Sequence, residues 1–327
     1  MRCINKHIST CCCFILAALA LCGCGEASYG VPYDRDSTKS AFRFEAQDTR
    51  ECADGFSAGL CIPGEESASE NEIDEGPDSY AAAMLFDLKG RKTLYCRHPY
   101  ERLYPASMTK VLTAVVAMEN CDMDQVLVAD ESCVLTENDV QKIRLKPGDT
   151  MTLDQALHIL LIYSANDVAN LIAVNVAGSI EEFAEMMNKE ALALGATNSH
   201  FMNPSGLHDE EHYTTAYDMY LIFNRAISYG KFIEIIGMSE YSTVYHGGSG
   251  EDIPFECEAT NRFLNGKYPA PQNVTVIGGK TGTTQAAGAC LVQLSKDASD
   301  NSYITVVMRA KTAETLYKKT GSLLELL

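Results

Sequence analysis

Between Tyr80 and the C-terminus, apolar residues follow the two spacings that are typical of strands and helices. Short apolar runs that predict strands lie near both ends of this region, at 81–88, 92–97, 274–277, 288–294 and 302–309. Helical spacing occupies the middle and the last residues, at 107–118, 153–176, 179–194, 215–228 and 312–327. This order predicts an α+β fold in which the N- and C-terminal strands share a mostly antiparallel sheet, with a helical subdomain between them.

Specific residues mark the ends of some of these helices. The segment 153–176 is long enough for two buried helices, and the polar residues 164–166 predict the break between them. Ser179 is expected to cap the following helix at its N-terminus, with Glu182 at the third helical position, and Gly195 is expected to end it.

The first 24 residues have the pattern of a secretory signal. Arg2 and Lys6 precede an apolar run over 11–22, which is too short to span a bilayer. The segment 21–24, Leu-Cys-Gly-Cys, resembles a bacterial lipobox. The resemblance implies a lipoprotein signal peptide over 1–23, cleavage before Cys24 and acylation of that residue, which would place the mature protein outside the cytoplasm. Ordinary cleavage nearby, leaving Cys24 free, is the alternative.

Residues 24–77 differ in composition from the region that follows. They are rich in Ser, Gly, Asp and Glu, and the stretch 65–78 holds seven acidic residues and no Lys or Arg. Such a segment buries too little apolar surface to offset its ordering entropy. We therefore expect an acidic flexible stalk over 24–77 and one catalytic domain over 78–327.

Charge and cysteine usage exclude several functional classes. The chain has 26 Lys and Arg against 44 Asp and Glu, a formal charge of −18. Proteins that bind nucleic acids use clustered cations, so nucleic acid is not an expected partner. Of 13 cysteines, the seven beyond residue 24 have irregular spacing and no C-x-x-C pair, which argues against a disulfide framework and a zinc site. A loop closed by Cys52 and Cys61 stays open as a possibility.

Candidate chemistry begins with Ser107 and Lys110, which lie on one helical face because they are three positions apart. A serine hydroxyl is a weak nucleophile until a base removes its proton. A lysine can be that base only when it is neutral, and this requires burial or a neighbouring cation. Lys280, if it lies close by, is such a cation.

Three motifs occur in an order that carries more information than any one of them: Ser107-x-x-Lys110, Ser164-x-Asn166 and the Lys-Thr-Gly of 280–282. With the segments around them, the sequence strongly resembles the low-molecular-mass penicillin-binding proteins, the D-alanyl-D-alanine carboxypeptidases. The matching segments are 105–110, 146–149, 163–167, 203–207, 214–218, 279–283, 287–288 and 290–291. The resemblance covers about 78–325 and implies a β-lactamase/transpeptidase-like fold.

The resemblance also implies a mechanism. Ser107 would attack the carbonyl of the penultimate D-Ala and form an acyl-enzyme, with Lys110 as general base. Ser164 would relay a proton to the leaving amine, and Asn166 would hydrogen-bond the peptide stem.

The third motif would supply the rest of the site. Lys280 would provide positive charge for the substrate carboxylate, helped by the hydroxyls of Thr281 and Thr283. The backbone N–H groups of Ser107 and Thr283 would form the oxyanion hole. Gly282 would let substrate lie along the strand edge as an added strand. No cofactor or metal is expected.

The implied partners are peptidoglycan stem peptides as substrates, β-lactams as covalent inhibitors, and the membrane through the N-terminal lipid. Such an enzyme would trim stem pentapeptides, limit cross-linking and influence cell shape. Whether it also cleaves cross-links, and which third residue of the stem it prefers, stay open.

Three alternatives accompany this interpretation. A serine β-lactamase would need a deacylating base, and Glu181, Glu182 and Glu185 lie between the second and third motifs, although on a helical pattern. A penicillin-binding sensor domain would be acylated without catalysis. The segment 208–212 matches the zinc-peptidase pattern H-x-x-E-H, but its acidic character favours a surface turn.

Overall fold

The computed structural model describes residues 59–63 and 80–327. The predicted signal peptide, Cys24, Cys52 and most of the predicted stalk lie outside these residues. Within the described part, none of the helices combines the length and the apolar character needed to cross a bilayer.

The centre of the domain is a five-stranded antiparallel sheet in the order β2-β1-β9-β8-β7. Its strands are β1 (Ala82–Asp87), β2 (Lys92–Arg97), β7 (Thr275–Thr284), β8 (Gly288–Lys296) and β9 (Ser302–Ala310). The N-terminal strand β1 pairs with the C-terminal strand β9 along its whole length. The prediction that the terminal strands share one antiparallel sheet is therefore confirmed.

Both faces of this sheet are buried, which explains why β1 is almost continuously apolar. One face packs against the helical subdomain in the large core, which includes Met84 and Phe86 of β1. The other face, with Ala83 and Leu85, packs against the last helix through Leu316 and neighbouring residues.

The helical subdomain follows the predicted pattern except at 230–236, where the structure has a helix that the sequence did not predict. Its helices are α1 (Lys110–Asn120), α2 (Leu153–His158), α3 (Asn166–Ala177), α4 (Ile180–Ala193), α5 (Ala216–Ala226) and α6 (Gly230–Ile236), and α7 (Ala313–Leu324) covers the sheet. A π-helical turn, Ile159–Tyr163, lies between α2 and the predicted break before α3. The Ser179 side chain accepts the Glu182 N–H at the start of α4, as expected, and Gly195 has a positive φ of 82° just beyond its end.

A second sheet was not predicted. It has the order β3-β4-β5-β6, with β3 (Val126–Val128), β4 (Thr150–Thr152), β5 (Glu240–His246) and β6 (Asp252–Glu258). In β5 and β6 exposed residues, most of them polar, alternate with half-buried or buried ones, so the period of two is present without an apolar run.

Strand β7 is also longer than predicted. The expectation of a strand over 274–277 stops before Gly278 and Gly279, because glycine is disfavoured in strands. The pairing with β8 carries the strand on to Thr284 and so places the whole Lys-Thr-Gly motif on it.

The described residues 59–63 pack on the domain, whereas the sequence interpretation includes them in a solvated stalk. Cys61 is 1% exposed; its N–H donates to the Tyr220 hydroxyl (2.8 Å) and its thiol to the Asp87 carbonyl (3.3 Å). Cys61 is a free thiol, as are the other described cysteines, which are buried or half-buried.

Candidate active site

The predicted nucleophile lies in a strained turn. Ala106 has a φ of 48°, a left-handed conformation that is unfavourable for a residue with a Cβ. The 3-10 turn Ala106–Thr109 follows and leads directly into α1 at Lys110. Ser107 is the half-buried member of this turn, so its hydroxyl lies at the edge of the core.

Two glycines allow other parts of the chain to approach this turn closely. A Cβ on Gly206, whose φ is 81°, would lie 1.9 Å from the Ala106 carbonyl oxygen. A Cβ on Gly282 of β7 would lie 2.6 Å from the Pro105 oxygen and 3.0 Å from the Ser107 nitrogen. Side chains at these positions would push the loop and the strand away from the nucleophile.

Lys110 is completely buried and donates to three oxygens: Ser107 Oγ at 2.9 Å, Asn166 Oδ1 at 2.6 Å and the Ser205 carbonyl at 2.6 Å. The last two are carbonyl oxygens that can only accept. When the amine is neutral, its two N–H groups can remain on these acceptors. Its lone pair is then directed at the Ser107 hydroxyl.

The loop 203–206 presents the Ser205 carbonyl to Lys110. Asn203 Oδ1 accepts hydrogen bonds from the Ser205 N–H and hydroxyl and from the Gly206 N–H. The Thr113 hydroxyl of α1 donates to the Pro204 carbonyl (2.6 Å). In the sequence analysis this segment matched a family pattern, but no role was assigned to it. The structure shows that the segment positions an acceptor for Lys110.

Ser164 lies at the predicted break between two helices. It ends the π-helical turn in a left-handed conformation, with φ of 73°. Its Oγ accepts a hydrogen bond from Lys280 Nζ at 2.9 Å, and Lys280 also donates to the Thr281 carbonyl at 3.0 Å. Ser164 and Lys280 are thus joined across 116 positions of sequence.

Burial lowers the pKa of both lysines. Desolvation and then the charge of Lys280 hold the Lys110 pKa well below its ordinary value of 10.5, while Asp167 acts in the opposite direction. Desolvation lowers the pKa of Lys280 to about 7. The condition set by the sequence, a buried lysine with a second cation beside it, is therefore met.

Asp167 is a buried residue that sequence reasoning missed. Its carboxylate accepts backbone N–H groups from Ile143, Arg144 and Leu145 at 2.7–3.2 Å. It holds the segment that leads from Gln141, whose carbonyl in turn accepts the Asn166 N–H (2.8 Å). The only signal in the sequence was its position directly after the second motif.

A cleft of about 230 Å³ opens at Ser107. It is lined by Ser107, Gln141, Ser164, Thr260, Arg262, Thr281, Gly282, Thr283, Ala289, Ala313, Leu316 and Tyr317. The structure therefore brings the residues of all three motifs together. Asn166 and Lys280 are not among the lining residues, but Asn166 is hydrogen-bonded to Lys110 and Lys280 to Ser164. Cys24, the predicted lipidation site, lies outside the described residues.

Arg262 is the cationic side chain in the described lining, and no motif pointed to it. Its side chain is exposed, with the guanidinium 5.7 Å from the Tyr317 ring centre, and its backbone N–H donates to the Tyr317 hydroxyl (2.8 Å). Beside it, the Thr281 hydroxyl donates to Thr260 Oγ1 (2.7 Å). Lys280, by contrast, is buried behind Ser164 and Thr281.

The residues on which the β-lactamase and zinc-peptidase alternatives depend lie outside the lining of this cleft. Glu181, Glu182 and Glu185 are exposed on α4, and among the described lining residues of the cleft there is no carboxylate. In the H-x-x-E-H segment, His212 Nδ1 accepts the Met202 N–H (3.2 Å), so Nε2 carries the proton and donates to Thr109 Oγ1 (2.9 Å). Burial lowers the His212 pKa to about 4, and its neutral ring supports the nucleophile helix with both nitrogens engaged.

Comparison with known proteins agrees with this geometry. The sequence profile of the D-alanyl-D-alanine carboxypeptidase family matches residues 68–312. D-alanyl-D-alanine carboxypeptidase DacF of Bacillus subtilis is 35% identical over 236 residues, which are 71% of this chain and 57% of DacF. The chain thus spans little more than half the length of that relative.

Solved structures show the same fold. The crystal structure of a D-alanyl-D-alanine carboxypeptidase from Mycobacterium tuberculosis matches with a TM-score of 0.66 at 28% identity, covering 76% of this chain and 91% of that one. A variant of a Streptomyces DD-transpeptidase matches with a TM-score of 0.70 at 21% identity, covering 77% and 98%. The expected transpeptidase-like fold is confirmed.

The charges around Lys110 predict opposite effects of two substitutions on its pKa. Lys280→Met removes a neighbouring cation and should raise the Lys110 pKa, whereas Asp167→Asn removes an anion and should lower it. Nuclear magnetic resonance titration of the Lys110 ε-carbon measures both shifts. Lys267→Met, at an exposed lysine paired with Glu258, is the control that should leave the titration unchanged. Shifts of the same sign in the two test variants would show that changes in burial, not charge, control this pKa.

Proposed function

Because this chain belongs to the D-alanyl-D-alanine carboxypeptidase family, we propose that it is a serine-type carboxypeptidase that removes the terminal D-Ala from peptidoglycan stem pentapeptides. The observation that carries the proposal is the environment of Lys110. Its two carbonyl partners leave one position of the amine for the Ser107 hydroxyl, and burial favours the neutral form.

Acylation follows from these contacts. Ser107 Oγ attacks the carbonyl carbon of the penultimate D-Ala while its proton passes to Lys110 Nζ. The negative charge that develops on the carbonyl oxygen is held by the N–H groups of Ser107 and Thr283, which the close approach at Gly282 brings together. When the C–N bond breaks, the Ser164 hydroxyl gives its proton to the departing amine of D-Ala and takes up the proton that Lys110 received, which leaves Lys110 neutral for the next step. Lys280 holds Ser164 in place by donating a hydrogen bond to its Oγ.

Deacylation requires water to add to the same carbonyl carbon, and Lys110 is the base available for it. The tetrahedral intermediate then collapses, and the proton returns to Ser107 Oγ as the ester bond breaks. The β-lactamase alternative needs an additional carboxylate base for rapid deacylation, and the described lining has none, so a β-lactam adduct should be long-lived. A long-lived adduct means that β-lactams act as covalent inhibitors of this protein, and it argues against the interpretation as a serine β-lactamase.

In this proposal, Arg262 provides most of the positive charge that binds the substrate carboxylate. From the sequence, that role was assigned to Lys280. Lys280 Nζ is used by Ser164 and the Thr281 carbonyl, whereas Arg262 is exposed in the cleft. The hydroxyls of Thr281 and Thr283 lie along the same strand edge. Lys280 contributes its charge from behind them, and Asn166 offers its amide N–H groups to the stem.

The proposed reaction takes place outside the cytoplasm, since peptidoglycan stems are its substrates. Removing the terminal D-Ala lowers the supply of pentapeptide donors for cross-linking and so influences cell shape. Residues 1–23 are proposed as a lipoprotein signal peptide, 24–77 as a stalk with a docked segment at 59–63, and 78–327 as the catalytic domain.

A lipid on Cys24 is proposed as the membrane attachment. We expect the mature protein to begin at Cys24 with a thioether-linked diacylglycerol, and Cys24→Ala to move it from the membrane to the soluble fraction. Mass spectrometry of the N-terminal peptide, with fractionation of cells, makes the measurement. A mature N-terminus beyond residue 24 would contradict the proposal, and Cys61→Ala is the matched cysteine control.

The nucleophile is tested with Ser107→Ala. Release of D-Ala from a stem-like peptide ending in D-Ala-D-Ala should fall by about 10³-fold or more, and acylation by penicillin should be lost. Ser249→Ala, in an exposed loop, should retain both activities. Wild-type protein that binds penicillin for long periods but releases no D-Ala would favour the sensor-domain alternative, and rapid penicillin hydrolysis would favour a β-lactamase.

The role of Arg262 is tested with Arg262→Gln. A charge-assisted hydrogen bond is lost, so kcat/KM should fall about tenfold for peptides with a free terminal carboxylate, mainly through KM. Arg262→Lys should recover part of the loss because it restores the charge without the planar fork. For a peptide whose C-terminus is an amide, the substitution should change little. Equal losses on both peptides would mean that Arg262 supports the cleft through Tyr317 and does not bind the carboxylate.

A further inference from the structure

A second pair of cavities lies at the end of the central sheet, next to the turn that joins β7 and β8. One measures about 500 Å³ and the other about 220 Å³, and they share Ala286 and Arg309 as lining residues. We call the pair the hairpin-turn pocket. Its charged lining residues are Arg102, Arg309, Lys311 and a single acid, Glu210.

Arg309 has an unusual backbone that directs its side chain to this pocket. Its φ is 56°, in the left-handed region, and it lies where the pairing of β8 and β9 shifts register between Ala289 and Leu291. Its backbone N–H donates to the Cys290 sulfur (3.3 Å). Bulges and strained residues of this kind recur next to functional sites, where they redirect a side chain.

Cations outnumber acids by three to one in this lining, although the chain as a whole has a formal charge of −18. Arg102 stacks over the Tyr213 ring at 4.6 Å, and none of the three forms a salt bridge with a carboxylate of the described residues. Arg102, Arg309 and Lys311 are all exposed. The hairpin-turn pocket therefore presents positive charge that the described protein leaves available to an anion.

The position of the pocket relates it to the cleft, on the basis of the proposed function. Strand β7 is the edge of its sheet, and substrate that pairs with it has its terminal carboxylate near Thr281 and its reacting carbonyl near Gly282 and Thr283. Residues upstream of the cleaved bond then run past Thr284 to the turn. At 3.3 Å per residue, the second or third of them lies about 7–10 Å beyond the reacting carbonyl.

We propose that the hairpin-turn pocket is a subsite for a carboxylate of the stem peptide two or three residues upstream of the cleaved bond. Arg309 provides the main contact, and Lys311 and Arg102 add positive charge on either side. The enzyme therefore distinguishes stems with a free carboxylate at this place from stems in which it is a carboxamide.

The test compares two stem peptides ending in D-Ala-D-Ala that differ only in a carboxylate or carboxamide two or three residues upstream. For wild-type protein we expect kcat/KM about tenfold higher with the carboxylate, the size of one charge-assisted hydrogen bond. Arg309→Gly, which suits the left-handed backbone, and Arg309→Gly with Lys311→Gln should reduce the preference to within about twofold. Lys267→Gln removes the same charge far from the site and should retain it.

A third measurement separates failure of this subsite from failure of the proposed function. Acylation by benzylpenicillin, which has no stem, should be unchanged in Arg309→Gly. Equilibrium binding of both peptides to Ser107→Ala protein reports the same preference without catalysis. Equal binding and equal kcat/KM for the two peptides in wild-type background would overturn the subsite while D-Ala release still stands. A preference that survives in the double variant would also overturn it.

Discussion

The structure of this site depends on keeping two amines out of water and next to each other. Lys110 and Lys280 are both completely buried, and burial lowers the pKa of each. A charged amine in such a place is costly unless acceptors surround it. The acceptors are Asn166 and Ser205 for one lysine and Ser164 and Thr281 for the other. These contacts make a neutral base available beside a serine without a histidine.

Several costly local features are explained by this requirement. The left-handed backbones of Ala106 and Ser164 bring the two serines into contact with the amines. Gly206 and Gly282 let a loop and a strand edge approach the nucleophile turn more closely than any side chain would allow. Strain of this kind persists only when the surrounding structure enforces it. Here a buried core of helices and the central sheet provides that support.

The sequence predicted the parts that follow from local pattern and from the three motifs. The terminal strands, the helices between them and the break at residue 164 were predicted because periodicity is local. The second sheet was missed because most of the outward-facing positions of β5 and β6 are polar, so neither strand contains an apolar run. The end of β7 was missed because its glycines are poor strand formers. Asp167 and Arg262 act through tertiary contacts with distant segments, and no spacing rule could place them.

The chain and its proposed substrate both carry negative charge, but salt limits the distance over which they repel each other. A stem peptide is anionic, and the protein has a formal charge of −18, although the described lining of the cleft holds no carboxylate. At physiological ionic strength the Debye length is about 8 Å, so exposed acids farther away are largely screened. Arg262 lies in the lining of the cleft, within contact distance of a bound peptide, and Lys280 adds its charge from the buried side. In the proposed function, recognition of the substrate carboxylate therefore depends on these nearby cations and little on the net charge of the chain.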